Sequence, residues 1–167
     1  MGKGFTRVLG IDPGLRLTGY GVVDLAAGAI EPTLVEGGVI RLDAQRPMED
    51  RLLQLKNDLT GLIAELKPDR LAVEKLYAHY AHPRTAILMG HARGVILLCA
   101  ATAGLPVEHL AATEIKKSLT GNGHATKAQM QLSVQAQCKL AEPPSPPDVA
   151  DAIAIALCHG RRLATNH

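Results

Sequence analysis

Four carboxylates stand where acids could do chemistry together. Asp12 closes the apolar run Val8-Leu9-Gly10-Ile11 and is followed by a Pro13-Gly14 turn. Glu74 closes a second short run, Leu71-Ala72-Val73. Asp148 and Asp151 open the apolar stretch from Val149 to Ala156 and, three residues apart on a helix, share one face. Apolar residues flank all four, which puts each acid at the rim of a core. Carboxylates held close together repel unless a cation neutralises them. Oxygen ligands without cysteine suit Mg²⁺ or Mn²⁺. Two such ions about 4 Å apart can activate a water and stabilise the leaving oxygen in phosphodiester hydrolysis. Each acid taken singly has a plainer reading. Asp before Pro-Gly often bonds its own backbone. Asp148 is a natural helix N-cap, and Asp151 sits favourably in the dipole of a first turn. Capping explains neither the second acid at that spacing nor the two strand-terminal acids.

The basic residues are concentrated. From Lys75 to Lys139 there are seven Lys/Arg against Glu108 and Glu114, a local +5 in a chain whose net charge is +2. Five of the seven histidines lie there too. Such a half suits a polyanionic partner, although an ordinary solvated helix face has the same composition. Lys127 follows Thr126 at a helix start, where backbone N–H groups also attract phosphate.

These side chains need elements to hold them. Arg7–Asp12 reads as a buried strand, Leu17–Asp24 as its hairpin partner, and Leu34–Ile40 as a third strand with a bulge at Gly37-Gly38. Together they predict an antiparallel meander. A helix follows Pro47, with Leu52, Leu55, Leu59, Leu62, Ile63 and Leu66 at three- and four-residue steps. Lys67-Pro68-Asp69 ends it. Arg70–Glu74 is the fourth strand, 75–83 a loop, and Arg84–Ala103 a helix stopped by Gly104. Val107–Leu110 is the fifth strand. Helices over Thr113–Leu119 and Thr126–Lys139 are separated by Gly121-Asn122-Gly123. Glu142–Pro147, with four prolines, must be extended. A last helix runs from Asp148 through about Leu163, and its end passes into a short tail, Arg161–His167, that is either disordered or adds affinity for a polyanion. Its small apolar interior predicts close packing on the sheet. The order implies α/β architecture: a mixed five-stranded sheet flanked by helices on both faces, in a single domain over 1–167.

Composition narrows the class. Hydrophobic residues make up 47% of the 167, which excludes a disordered chain. Aromatics are 2%, so the core is aliphatic and any exposed ring is informative. No apolar run reaches the roughly 18 residues of a membrane span, and the N-terminus lacks a signal-type apolar region. Cys99, Cys138 and Cys158 are scattered among apolar residues and read as buried reduced thiols. The expectation is a cytoplasmic protein with no membrane partner.

The motifs carry a resemblance. Gly10-Ile11-Asp12-Pro13-Gly14 with Thr18-Gly19-Tyr20-Gly21, then Ala72-Val73-Glu74, then Asp148 through Ala156, resemble the acidic segments of the RuvC-type Holliday-junction resolvases. Gly90-His91-Ala92-Arg93-Gly94 and Gly121-Asn122-Gly123 fall where that family has similar segments. The resemblance covers nearly the whole chain in the family's order. It implies a ribonuclease-H-like fold, a homodimer, and Mg²⁺- or Mn²⁺-dependent paired nicking of four-way DNA junctions in recombination and repair, with two ions per active site and 5′-phosphate ends. It maps the catalytic and metal-binding acids onto Asp12, Glu74, Asp148 and Asp151. Some members carry His at the position of Asp148, so that residue is the more variable member of the set. Lys116 and Lys127 match lysines used near the scissile phosphate. Tyr77 stands where the family usually has a base-stacking Phe, and Tyr80 is close enough to share that role. Lys117, Arg84 and Lys75 are expected to add backbone contacts. A junction branch-migration motor is the implied partner. The competing readings are an actin-like ATPase or sugar kinase, a non-catalytic junction-binding protein, and a related nuclease acting on RNA. The first normally needs two such domains, and the second leaves the four acids unexplained.

Overall fold

The computed structural model describes residues 2–76 and 82–166. The elements are β1 (Phe5–Asp12), β2 (Leu17–Ala26), β3 (Thr33–Arg41), α1 (Met48–Leu66), β4 (Arg70–Glu74), α2 (Pro83–Thr102), β5 (Val107–Leu110), α3 (Ala112–Thr120), α4 (Lys127–Gln137) and α5 (Pro147–Thr165). They form one five-stranded sheet in the order β3-β2-β1-β4-β5. The meander β1-β2-β3 is antiparallel, while β4 and β5 add in parallel beside β1.

The two-residue period of the strands sorts their side chains onto two faces. Leu9, Ile11, Val22, Leu71 and Val73 join Leu55, Leu59 and Ile63 of α1 and Ala92 and Ile96 of α2. Val8, Val23, Ala72 and Leu110 join Ile115 and Leu119 of α3, Met130 and Val134 of α4, and the buried stripe of α5. Both faces of the sheet are thus covered, as expected.

Four details differ from expectation. The strand irregularity lies between Val22 and Val23, where β2 passes from Glu36 to Leu34 and leaves Val35 as the extra residue. Gly37 and Gly38 instead make room: a Cβ at Gly37 would meet Val149 and Ile153, and one at Gly38 would meet the Tyr20 ring. Helix α4 stops at Gln137, and Lys139 has positive φ. Helix α5 is capped by Pro146 and starts at Pro147, so Asp148 lies in its first turn and makes no cap bond. The helix also continues to Thr165, so Arg161 and Arg162 belong to it. Arg161 bonds Ser118 O (2.8 Å), Gln137 Oε1 (2.5 Å) and Glu31 Oε2 (3.0 Å), tying α5 to α3, α4 and the β2–β3 connection. Cys99 and Cys158 are buried as expected, while Cys138 is only partly so.

Helix α2 departs from the membrane expectation in an instructive way. It is long and apolar enough to cross a bilayer, yet only 22% of its most apolar 18 residues are buried in the protein. Ile87 and Leu98 are 63% and 61% exposed.

Candidate active site

Strand pairing brings the first two acids together. β1 and β4 run parallel with Ile11 opposite Val73, so the next step sets Asp12 beside Glu74. Val8 and Ala72 point to the α5 side, and alternation sends Asp12 and Glu74 there as well. Helix α5 begins above the same edge and supplies Asp148 and Asp151 from its first turns.

Glycines set how closely α5 approaches. A Cβ at Gly21 would lie 2.7 Å from Ile153 Cα, and one at Gly10 would lie 2.7 Å from Ala156 N. A Cβ at Gly19 would strike the backbone of Asp148. Gly19 is the ladder partner of Asp12, so this contact seats Asp148 over the strand position next to Asp12. The turn behind Asp12 is pinned by buried Thr18. Its Oγ1 donates to Gly14 O (2.9 Å) and accepts from Gly14 N (3.2 Å).

The carboxylates feel one another. Burial pushes Asp12 up to about 8, and Asp151, Asp148 and Glu74 push in the same direction, in that order, against Lys127. Burial also raises Glu74, with Asp151 adding to it and Lys116 and Lys127 opposing. Burial raises Asp151, opposed by Lys127 and Lys116 and reinforced by Asp148. All four expected acids and two expected lysines therefore belong to one electrostatic unit. Among the described residues, no three His, Cys, Asp or Glu side chains close round a common point. The acids are gathered as mutually repelling neighbours. A donor set of four carboxylates, desolvated enough to keep a proton on Asp12 near neutral pH, fits a hard divalent cation that would displace that proton.

The lysines come from the hairpin of helices that follows β5. A cleft of about 210 Å³ is lined by Glu74, Asp151, Lys116, Lys127, Ile115 and Met130. Lys127 is the first residue of α4. Thr126 caps that helix in a reciprocal pair: its hydroxyl accepts from Gln129 N (3.2 Å), and Gln129 Oε1 accepts from Thr126 N (2.8 Å). Gly121, at φ 77°, ends α3 in a conformation that favours glycine. Lys117 and Arg84 are exposed and line neither cavity beside the acids. Lys75 lines the second, of about 70 Å³, with Asp12, Pro13, Glu74, Met89 and Arg93. Tyr77 and Tyr80 lie outside the described residues. Thr18, Arg93 and His109 had no assigned role in the sequence. Thr18 and Arg93 stood inside quoted motifs, whereas His109 had no signal beyond its place on β5.

An acidic strand-and-helix site beside a lysine-lined cleft, on this sheet order, has close parallels among known proteins. Residues 8–159 match the family model described as crossover junction endodeoxyribonuclease RuvC. The chain is 50% identical over 159 residues to a crossover junction endodeoxyribonuclease RuvC of Rhodopirellula baltica, covering 95% of this chain and 88% of that one. It is 44% identical to the one of Salinispora arenicola, covering 95% and 90%. In three dimensions it resembles Thermus thermophilus RuvC, with a TM-score of 0.84, 33% identity and 96% and 97% coverage. It also resembles T. thermophilus RuvC in complex with Holliday junction substrate, with a TM-score of 0.87, 34% identity and 96% coverage of each chain. Its ribonuclease-H-like sheet and the arrangement of its acids thus accompany a family match along almost the whole length, and the chain belongs to the RuvC family of crossover junction endodeoxyribonucleases.

Proposed function

We propose that this protein resolves four-way DNA junctions by paired nicks on two opposed strands, using Asp12, Glu74, Asp148 and Asp151 as its acidic cluster. The observation that supports this most is electrostatic: burial and then three neighbouring acids raise Asp12, while Lys127 opposes them from the adjoining cleft. Strong repulsion beside a phosphate-binding lysine pair is what a cation-dependent phosphodiesterase requires.

The four carboxylates would hold two ions, Mg²⁺ or Mn²⁺. When bound, these ions would lower the pKa of the attacking water and offset charge on the phosphoryl oxygens. The protein's own groups do the rest. Lys116 and Lys127 present point charges to the phosphate oxygens and stabilise the charge that develops there. The first N–H groups of α4 add a partial positive charge at the same place. Thr18 holds the Pro13-Gly14 turn away from the acids and keeps their edge open. Phosphorus–oxygen cleavage then leaves a 5′-phosphate and a 3′-hydroxyl. Tyr77 and Tyr80, in the segment after Glu74, serve as base-stacking rings, while Lys75, Lys117 and Arg84 extend the basic surface.

A nearly two-fold junction needs two such sites, which a homodimer supplies. Helix α2 is the surface for it. Ile87 and Leu98 are exposed, and among the described residues a Cβ at Gly90 or Gly94 would meet nothing within 4 Å, so these glycines serve no packing there. A branch-migration motor is the partner that would deliver junctions.

The test is a synthetic four-way junction incubated with Mg²⁺ or Mn²⁺, beside Asp12→Asn. Symmetric paired nicks from the wild type, lost in the variant while junction binding persists, are expected. Binding without nicking at any concentration of either metal would overturn the proposal.

A further inference from the structure

Arg93 is a cation that meets no carboxylate among the described residues. It lies on α2, half-buried, and burial lowers its pKa. Residues 77–81, Tyr-Ala-His-Tyr-Ala, have no carboxylate to offer. A desolvated guanidinium is costly unless its N–H groups are used. Two of them are. Nε donates to the main-chain carbonyl of Glu74 at 3.4 Å, and Nη2 meets Nδ1 of His109 at 2.5 Å.

The two partners sit at the ends of adjacent strands. Val107 packs on the α1–α2 side and Leu110 on the α5 side, so alternation turns His109 toward α2. Burial and then Arg93 itself lower the His109 pKa, which favours the neutral imidazole, and a neutral ring can accept from the guanidinium at Nδ1. On the other flank, Lys75 N donates to Leu110 O at 2.7 Å. The residue that ends β4 is therefore tied to β5 by the ladder and to α2 and His109 through one side chain. Arg93 also lines the small cavity shared by Asp12 and Glu74. Glu74 is the last residue of β4 and pairs with Leu110, so the strand gives it a ladder partner on one side only at its very end.

We infer that Arg93, set by His109, is a positioning residue that fixes the end of β4 so that the Glu74 carboxylate is presented to the cation site. The inference rests on the reading of Glu74 as a metal ligand. A guanidinium is suited to this because its planar fork donates in two directions at once, whereas an ammonium is a single point. Groups that orient a ligand typically change metal affinity about 10–100-fold when removed.

The experiment titrates Mn²⁺ into the metal-free protein by calorimetry, without DNA, and separately measures junction binding in chelator. The variants are Arg93→Gln, Arg93→Lys, His109→Leu, His109→Gln and, as reference, Glu74→Gln. R93Q and H109L are expected to weaken Mn²⁺ binding at least about 10-fold, with junction binding in chelator unchanged. H109Q, which keeps an acceptor oxygen, should retain near wild-type affinity, and R93K should not. Unchanged Mn²⁺ affinity with weakened junction binding would make Arg93 a DNA contact and overturn the inference. Unchanged Mn²⁺ affinity with a lower melting temperature would reduce the pair to packing and overturn it equally. Should R93Q fail to fold, the H109L and H109Q pair decides. Wild-type Mn²⁺ affinity in E74Q would instead sink the ligand reading beneath it.

Discussion

Asp12 shows what a single residue contributes beyond its type. Its carboxyl is raised from 3.8 to about 8, mainly by burial and then by Asp151, Asp148 and Glu74. The sign of the consequence follows. Between those two values the folded protein keeps a proton that the unfolded chain releases, so stability falls as pH climbs from about 4 to about 8. Each unit corresponds to about 1.4 kcal/mol, which makes the cost of ionising Asp12 a few kcal/mol. Asp12→Asn removes it. In chelator, D12N should match the wild type near pH 4.5 and melt about 5 °C or more above it at pH 9, as differential scanning fluorimetry across that range would show. Equal melting temperatures throughout would mean that neither burial nor the neighbouring acids raise Asp12. In the sequence, Asp12 was indistinguishable from a turn aspartate; only Glu74 and the Asp148–Asp151 pair singled it out. The same holds for Lys116 and Lys127, ordinary surface lysines until α3 and α4 place them in one cleft with Glu74. Arg93 and His109 were harder still, since their roles depend on a register and a helix placement that no local pattern carries.

At the scale of elements, α5 decides whether the acids meet. It supplies two of them and lies flat on β1 and β2 because Gly10, Gly19 and Gly21 carry no Cβ. Gly21→Ala would put a methyl 2.7 Å from Ile153 Cα, a backbone atom that cannot swing aside. The helix must lift, at about 2–3 kcal/mol and a melting temperature roughly 5–10 °C lower. Because Asp148 and Asp151 ride on that helix, nicking by G21A should fall even at temperatures where it stays folded. Full activity in a folded G21A would show that the fit has slack. Arg161 performs the complementary task of holding α3 and α4 against α5. Arg161→Ala should cost about 1–3 kcal/mol through the carbonyl and amide left unpaired, read as a lower denaturation midpoint. The meander, the long helices and the close packing of α5 were legible because periodicity and small-residue spacing encode them directly, whereas the order of the strands in the sheet was not. The bulge was misplaced because a glycine pair can mark either extra chain or missing side chain. The last helix runs only two residues past its expected end at Leu163; what was not legible is the anchoring of Arg161 and Arg162, which look like a solvated tail and whose partners Glu31, Ser118, Gln137, Glu108 and Glu114 are remote in sequence.

For the whole molecule, the informative element is one that leaves apolar side chains uncovered. Helix α2 is apolar enough to span a bilayer and mostly uncovered. Its Arg84, His91 and Arg93, together with a buried edge formed by Ala92, Ile96 and Ala100 on the sheet, mark it instead as a helix with one face inside the protein and one face left apolar. A large exposed apolar face calls for a partner surface. The paired chemistry proposed above calls for a second active site held at fixed distance, and one two-fold contact through α2 answers both demands. The face centres on Ile87, Gly90, Gly94 and Leu98, which succeed one another at three- and four-residue steps and so form one stripe. The double substitution Ile87→Glu, Leu98→Glu places two like charges on each side of such a contact while touching neither core cluster. It should give a folded monomer by light scattering at micromolar concentration, where the proposal expects the wild type to be a dimer. On a four-way junction the monomer should still nick, but strand by strand, so that singly nicked product accumulates before resolved duplexes appear. A dimeric double variant, or a monomer that still cuts both strands in concert, would move the two-fold contact off α2.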